Sequence, residues 1–167
     1  MRENVIDSLS ATDRIILEAL QRDGRRTSAE LGELVHMSHS PVWRRIKKFE
    51  EDGVISGYHA SLDWRKLGYS ALAFVSVVID RHDEKTATRF TDAARLIPEV
   101  VLCHGVSGPE DFVLIVITRD LEHYSQVLMK ELRCLPGVSG LRTSFSLVAF
   151  KENSAFFMDL VQGDGAA

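Results

Sequence analysis

Twice in its second half this chain leaves a helical pattern through the same short step: an apolar residue, a proline, any residue, then valine. The steps are Ile97-Pro98-Glu99-Val100 and Leu135-Pro136-Gly137-Val138. Proline lacks the N–H that would continue a helix, so each step ends a helix and releases the chain into an extended segment. What lies on either side fits that reading. Asp83 to Ile97 places Ala87, Phe90, Ala94 and Ile97 on one helical face, and Asp120 to Leu135 does the same with Leu121, Tyr124, Leu128, Leu132 and Leu135. Ala71 to Ile79, Val100 to Val106, Phe112 to Thr118 and a stretch within Val138 to Phe150 read as strands. The order is β-α-β-β-α-β, two βαβ halves with matching exits. That is the pattern of a ferredoxin-like sandwich.

The first half is built differently. Leu9 to Asp23 reads as a helix capped by Ser10 or Thr12, with Ile16, Leu17 and Leu20 as its stripe and Ile15 and Ala19 widening it. Thr27 and Glu30 have capping-box spacing and open a second helix, with Leu31, Leu34 and Val35 as its apolar face. His36-Met37 is a tight turn. Ser38 then caps a third helix that Gly53 ends, and Val54-Ile55 begins a short strand. Three helices with a tight turn before the last, then a strand, is the order of a helix-turn-helix with a small wing. The expected fold class is therefore α+β. A winged helix-turn-helix over residues 1–60 is joined by a connector, 61–70, to a ferredoxin-like domain, 71–151, followed by a tail, 152–167. That tail holds the apolar residues Phe156, Phe157, Leu160 and Val161.

The third helix divides by face. Val42, Ile46 and Phe49 recur at i, i+4, i+7 and form the buried side. At about 100° per residue, Ser40, Arg44 and Lys47 fall opposite, Trp43 and Lys48 flank them, and Arg45 lies near the buried edge. A major groove accepts such a helix: arginine pairs with guanine edges, and lysine and serine hold phosphates. A solvated helix laced by i,i+4 charge pairs is the alternative. Net charge is −4. Residues 1–60 carry 9 Lys+Arg against 10 Asp+Glu, and residues 61–167 carry 11 against 14. Neither half is a basic coat, so phosphate binding would depend on the local cluster Arg44, Arg45, Lys47, Lys48.

A second stretch carries possible chemistry: Cys103-His104-Gly105-Val106-Ser107-Gly108-Pro109-Glu110-Asp111-Phe112. Its glycines can bring backbone N–H groups up to a carboxylate, and Asp111 can accept from an ammonium group, which suits a free amino acid. Equally, it can be a hairpin loop whose aspartate caps a backbone N–H. Cys103 and His104 are strand neighbours and point to opposite faces, so a shared metal is not expected. No catalytic triad order, P-loop or dinucleotide fingerprint is present, and neither enzymatic activity nor a cofactor is expected. No apolar run approaches the roughly 18 residues a bilayer needs. M-R-E-N-V-I-D-S-L-S has no apolar signal core, and the two cysteines make no disulfide framework. A cytoplasmic protein is expected.

Taken together, these stretches resemble the Lrp/AsnC family, the feast/famine regulators. The resemblance is carried by T-D-R-I-I-L-E-A-L-Q-R-D-G-R, M-S-H-S-P-V-W-R-R-I-K-K-F-E-E-D-G-V-I-S-G-Y, L-D-W-R-K-L-G-Y, I-P-E-V-V-L-C-H-G-V-S-G-P-E-D-F, D-L-E-H-Y and L-P-G-V-S-G-L-R-T-S-F, from about Leu9 to Lys151. It implies a sequence-specific transcriptional regulator of double-stranded DNA. It also implies a homodimer, assembling to tetramers or octamers, that responds to an amino acid or related effector. The recognition helix maps to Ser38–Asp52, with Ser38, His39, Ser40, Trp43, Arg44, Arg45, Lys47 and Lys48 as DNA contacts. The effector site maps to Gly105, Ser107, Gly108 and Asp111, with Thr143 and Ser144 from a neighbouring subunit. Two departures stand out: Phe112 where the family often has tyrosine, and Trp64 where it often has proline. Some proteins with this layout decarboxylate sirohaem, and an architectural DNA binder of low specificity would share the helices. These are the rival functions.

Overall fold

Ser10 starts the first helix of the computed structural model, which describes residues 9–150. The described chain divides between Ser61 and Leu62 into two compact units. In the first, α1 spans Ala11–Arg22, α2 Ser28–Val35 and α3 His39–Glu51. Both early helices begin with reciprocal capping boxes. Asp13 N–H donates to the Ser10 hydroxyl while the Asp13 carboxylate accepts from Ser10 N–H, and Thr27 and Glu30 do the same for α2. Each cap contributes about 1 kcal/mol. The helices bury Ile16, Leu17, Leu20, Leu31, Val42 and Phe49 against one another.

Three expectations change in this unit. Leu34 and Ile15 are 46% and 44% exposed, so the apolar stripes of α1 and α2 are narrower than their spacing suggests. Ser38 makes no side-chain bond to its helix, so the first-turn N–H groups of α3 are not capped by it. Val54-Ile55 forms no strand. Ile55 N–H instead donates to the Phe49 carbonyl at 3.0 Å, folding the segment back on the end of α3, and the Tyr58 hydroxyl donates to Glu50 at 3.1 Å. A β-branched pair becomes a strand only when another strand meets its backbone, and none is present among residues 9–61.

The second unit begins with turns over Asp63–Gly68. It continues with β1 Ala71–Ile79, α4 Glu84–Ala94, β2 Val100–Gly105, β3 Phe112–Thr118, α5 Leu121–Lys130, a 3-10 turn Leu132–Cys134 and β4 Val138–Phe145. The strands form one antiparallel sheet in the order β2-β3-β1-β4. Both helices cover the same face, packing on Ala73, Val75, Val77, Leu114 and Val116 through Phe90, Ala94, Tyr124 and Val127. Leu121, expected in the core, is instead an exposed first-turn residue. Alternation sends Leu72, Phe74, Val78, Val113, Ile115 and Ile117 to the other face, which no element of the unit covers. Residues 152–167, with the Phe156-Phe157 cluster, lie outside the described residues.

Candidate functional site

The outward side of α3 gathers exposed polar and cationic side chains. Val42 and Phe49 are buried, while Ser40, Trp43, Arg44, Lys47 and Lys48 are exposed. Trp43 is a large apolar side chain left 56% exposed among cations. At the start of the helix the His39 Nε2 and the Ser40 hydroxyl stand 3.4 Å apart, both exposed. The cations differ in what already holds them. Lys47 pairs with Glu50 at 3.7 Å and Lys48 with Asp52 at 3.1 Å, both on the surface. Such pairs contribute about 0.3–0.5 kcal/mol and give way easily to a phosphate. Arg44 has no ion-pair or hydrogen-bond partner among the described residues.

Arg45 is held elsewhere. Its guanidinium donates to Asp13 Oδ1 at 2.6 Å, and the Asp13 side chain is only 12% exposed. The other oxygen of that carboxylate, Oδ2, accepts from the Ser10 N–H at 3.0 Å and from the Ser10 hydroxyl at 2.6 Å. Burial acts to raise the Asp13 carboxyl, but the bonds from Ser10 and Arg45 outweigh it and hold the group below the ordinary carboxylate range. A depressed carboxyl contributes stability above its unfolded value of about 3.9, and that contribution is lost as pH falls through the lower folded value. The expected result is a urea midpoint that falls more steeply below about pH 4 in the native sequence than in Asp13→Asn. Trp43 fluorescence in a Trp64→Phe background would follow it. Equal slopes would mean that the folded and unfolded carboxyls titrate alike.

In the second unit, Asp111 is the anchor of the loop between β2 and β3. Its N–H donates to the Val77 carbonyl and its own carbonyl accepts from Val106 N–H, each at 2.9 Å. Its Oδ2 accepts from Ile79 N–H at 2.9 Å, and His82 Nδ1 lies 3.0 Å from Oδ1. The carboxylate thus caps a backbone N–H, the plainer of its two sequence readings. Gly105, Ser107 and Gly108 are exposed, and open space surrounds the position where a Gly108 side chain would stand. Glu110 forms an ion pair with Arg142 of β4. Phe112 is buried and stacks on Phe90 with centroids 4.4 Å apart, so its ring belongs to the core.

Thr143 and Ser144 do not share a face. Thr143 pairs with Val75 on the helix side, where its hydroxyl lies 2.5 Å from that of Tyr124, and Ser144 pairs with Phe74 on the open side. Sequence reasoning missed His82, the Ile79 N–H and Arg142, which only the topology brings to this loop. His123 stands in the first turn of α5. Its Nε2 lies 3.3 Å from Glu99, and its Nδ1 accepts from Arg119 N–H at 3.4 Å. Burial pushes the Cys103 thiol up, as in an inert cysteine. Among the described residues no cluster of His, Cys, Asp and Glu could hold a metal ion, and no helix is long and apolar enough to cross a membrane.

One unit that presents a cationic helix and another that holds a glycine loop beside a half-covered sheet define a class: a DNA-binding regulator carrying a small-molecule domain. Known proteins match both parts. A winged helix-turn-helix DNA-binding family matches residues 9–56, and the Lrp/AsnC ligand binding domain matches residues 72–156. The Bkd operon transcriptional regulator of Pseudomonas aeruginosa is 35% identical over 147 residues, covering 88% of this chain and 96% of that protein. The proline dehydrogenase transcriptional activator of Rhizobium radiobacter is 37% identical over 146 residues, covering 87% and 94%. A transcriptional regulator from Neisseria meningitidis, crystallised as an L-Met complex, superposes with a TM-score of 0.83 at 33% identity, covering 88% and 95%. This chain belongs to the Lrp/AsnC family of transcriptional regulators.

Proposed function

We propose that this protein binds specific duplex sites through the outward side of α3, as a dimer or higher homo-oligomer, and that an amino acid adjusts its assembly or DNA affinity. The observation that carries the reading is Arg44, exposed and unpaired among the described residues, opposite the buried Val42 side of α3. Ser40 and Trp43 share that approach to base edges, and Lys47 and Lys48 reach phosphates by exchanging their weak surface partners. Ser38 and His39, beside the uncapped first turn, suit a backbone phosphate.

The uncovered sheet face supports self-association. Phe74 is 45% exposed among Leu72, Val78, Ile115 and Ile117. A contiguous apolar face of this kind is stabilised by a second copy. Tetramers or octamers then follow from the family resemblance, and sedimentation velocity reads the state directly. The effector reading rests on the exposed loop of Gly105, Ser107 and Gly108 beside Asp111. An ammonium group reaching Asp111 would take the place of His82 at Oδ1, because Oδ2 is held by Ile79 N–H.

The Neisseria relative makes L-methionine the first effector to test. At ten times its dissociation constant, a ligand that binds only the folded state adds about 1.4 kcal/mol. That corresponds to a melting-temperature rise of roughly 3–6 °C in a chain of this size. The screen runs through the twenty amino acids, and no rise with any of them would overturn the effector assignment. DNA specificity is tested separately, by competing a selected duplex against an unrelated one at fixed salt. Equal competition would identify an architectural binder.

A further inference from the structure

Among the described residues Asp13 is the one charged side chain in the buried class. It stands in the first turn of α1, and its partner Arg45 stands 32 residues later, in the middle of α3. All three of its bonds are charge-assisted: two from Ser10 to Oδ2 and one from Arg45 to Oδ1. A buried carboxylate without its counterion is costly, so the pair resists separation more strongly than the exposed Lys47 and Lys48 pairs.

The rest of α3 is held by apolar contacts of Val42, Ile46 and Phe49. Those contacts decide which side is inward, but the apolar burial that drives them is non-directional and does not by itself single out one rotation. A hydrogen-bonded ion pair is directional and fixes it. The tolerance is small. A helix with side chains is about 10–12 Å across, so a rotation of about 10° moves a surface group by about 1 Å. Productive recognition geometry is held within about 0.5 Å.

We propose that Arg45 is a positioning residue for base readout. It ties α3 to the capping box of α1, setting the rotation at which Arg44 and Ser40 meet the groove, and it does not contact phosphate. The inference rests on the reading that α3 enters the major groove. It revises the role of a residue that its place in a cationic cluster marked as a DNA contact.

The two roles of Arg45 predict opposite signs for one substitution. If Arg45 positions the helix, Asp13→Asn weakens discrimination. If Arg45 contacts phosphate, Asp13→Asn frees the guanidinium and removes a negative charge, and DNA affinity rises.

The test uses the full chain and a duplex that the unmodified protein selects from a random-sequence pool, with a scrambled duplex as reference. Fluorescence anisotropy between 50 and 200 mM salt gives affinity, discrimination and salt slope for Asp13→Asn, Arg45→Gln, Arg45→Lys and the Asp13→Asn/Arg45→Gln double variant. Expected are at least about a fivefold loss of discrimination in each of Asp13→Asn and Arg45→Gln, and no further loss in the double variant. The salt slope should be unchanged, and Arg45→Lys, which still pairs with Asp13, should recover part of the loss. Arg45→Gln weakening both duplexes alike, with a slope reduced by about 0.9, would overturn the proposal, as would a rise in affinity for Asp13→Asn. Urea unfolding checks each variant. Should Asp13→Asn not fold, the Arg45→Gln and Arg45→Lys pair decides by slope and recovery. Failure to select any duplex would overturn the groove reading and this proposal with it. A selected duplex whose discrimination survives Arg45→Gln would overturn this proposal alone.

Discussion

Arg44→Ala is expected to strip the protein of most of its preference for a selected duplex while leaving its unfolding midpoint unchanged. The side chain is exposed and has no partner among the described residues, so its removal opens no cavity and orphans no charge. Surface changes of that kind fall within about 0.5 kcal/mol. A bidentate contact to a guanine edge contributes about 1–3 kcal/mol of discrimination, which is roughly 5–150-fold. Lys48→Ala provides the contrast. Its side chain is 72% exposed and only weakly paired with Asp52, so it should weaken all duplexes alike and flatten the salt dependence by about one counterion. Anisotropy on selected and scrambled duplexes separates the two patterns. Were Arg44→Ala to behave like Lys48→Ala, Arg44 would be holding phosphate. Were it to change nothing, α3 would not be the reading element.

The contrast between Arg44 and Arg45 also shows what the sequence could and could not reveal. A 100° wheel put Arg44 opposite Val42 and Arg45 near the buried edge, and the structure places both there. What Arg45 meets at that edge is Asp13, and no local pattern connects residues 32 apart. The strands Ala71–Ile79 and Phe112–Thr118 were readable to the residue, because valine-rich runs bounded by turn residues carry their own signal. Val54-Ile55 gave the same local signal and formed no strand, because pairing needs a neighbour that composition does not announce. The glycine loop followed the same division. Its exposed tip at Ser107 and Gly108 was legible, whereas the partners of Asp111 come from the end of β1 and the turn after it. The family resemblance put Thr143 and Ser144 in one site, and the period-2 geometry of a strand separates them. Local periodicity is written in the residues; the long-range pairs that tune a site are consequences of topology.

Gly32→Val is expected to destabilise the first unit more than any of the surface changes, by about 3 kcal/mol or more. Glycine inside a helix normally costs about 1 kcal/mol relative to alanine, so a buried glycine in the eight-residue α2 needs a structural cause. The cause is the turn. Met37 N–H donates to the Gly32 carbonyl at 2.9 Å, and His36 takes a left-handed φ of 55° to bring the chain round. A Cβ on Gly32 would stand 2.5 Å from the Met37 carbonyl oxygen and 3.6 Å from the Ser38 carbonyl carbon. Both atoms are backbone and cannot rotate away. Relief requires moving the segment that launches α3 by about 1 Å, beyond the tolerance of about 0.5 Å that recognition geometry allows. Even alanine, with its better helix propensity, should lose on balance, because overpacking costs about 1–3 kcal/mol. Valine adds two methyl groups to the same overlap and gains less from helix propensity than alanine does. The neighbouring Glu33→Ala, on the exposed side of the same helix, should change the urea midpoint little and serves as the control. DNA discrimination should fall further in Gly32→Ala than its loss of stability accounts for, because the surviving folded molecules carry α3 displaced. A Gly32→Ala protein as stable and as discriminating as the native one would mean that the turn is free to shift, and that Gly32 does not set where α3 meets DNA.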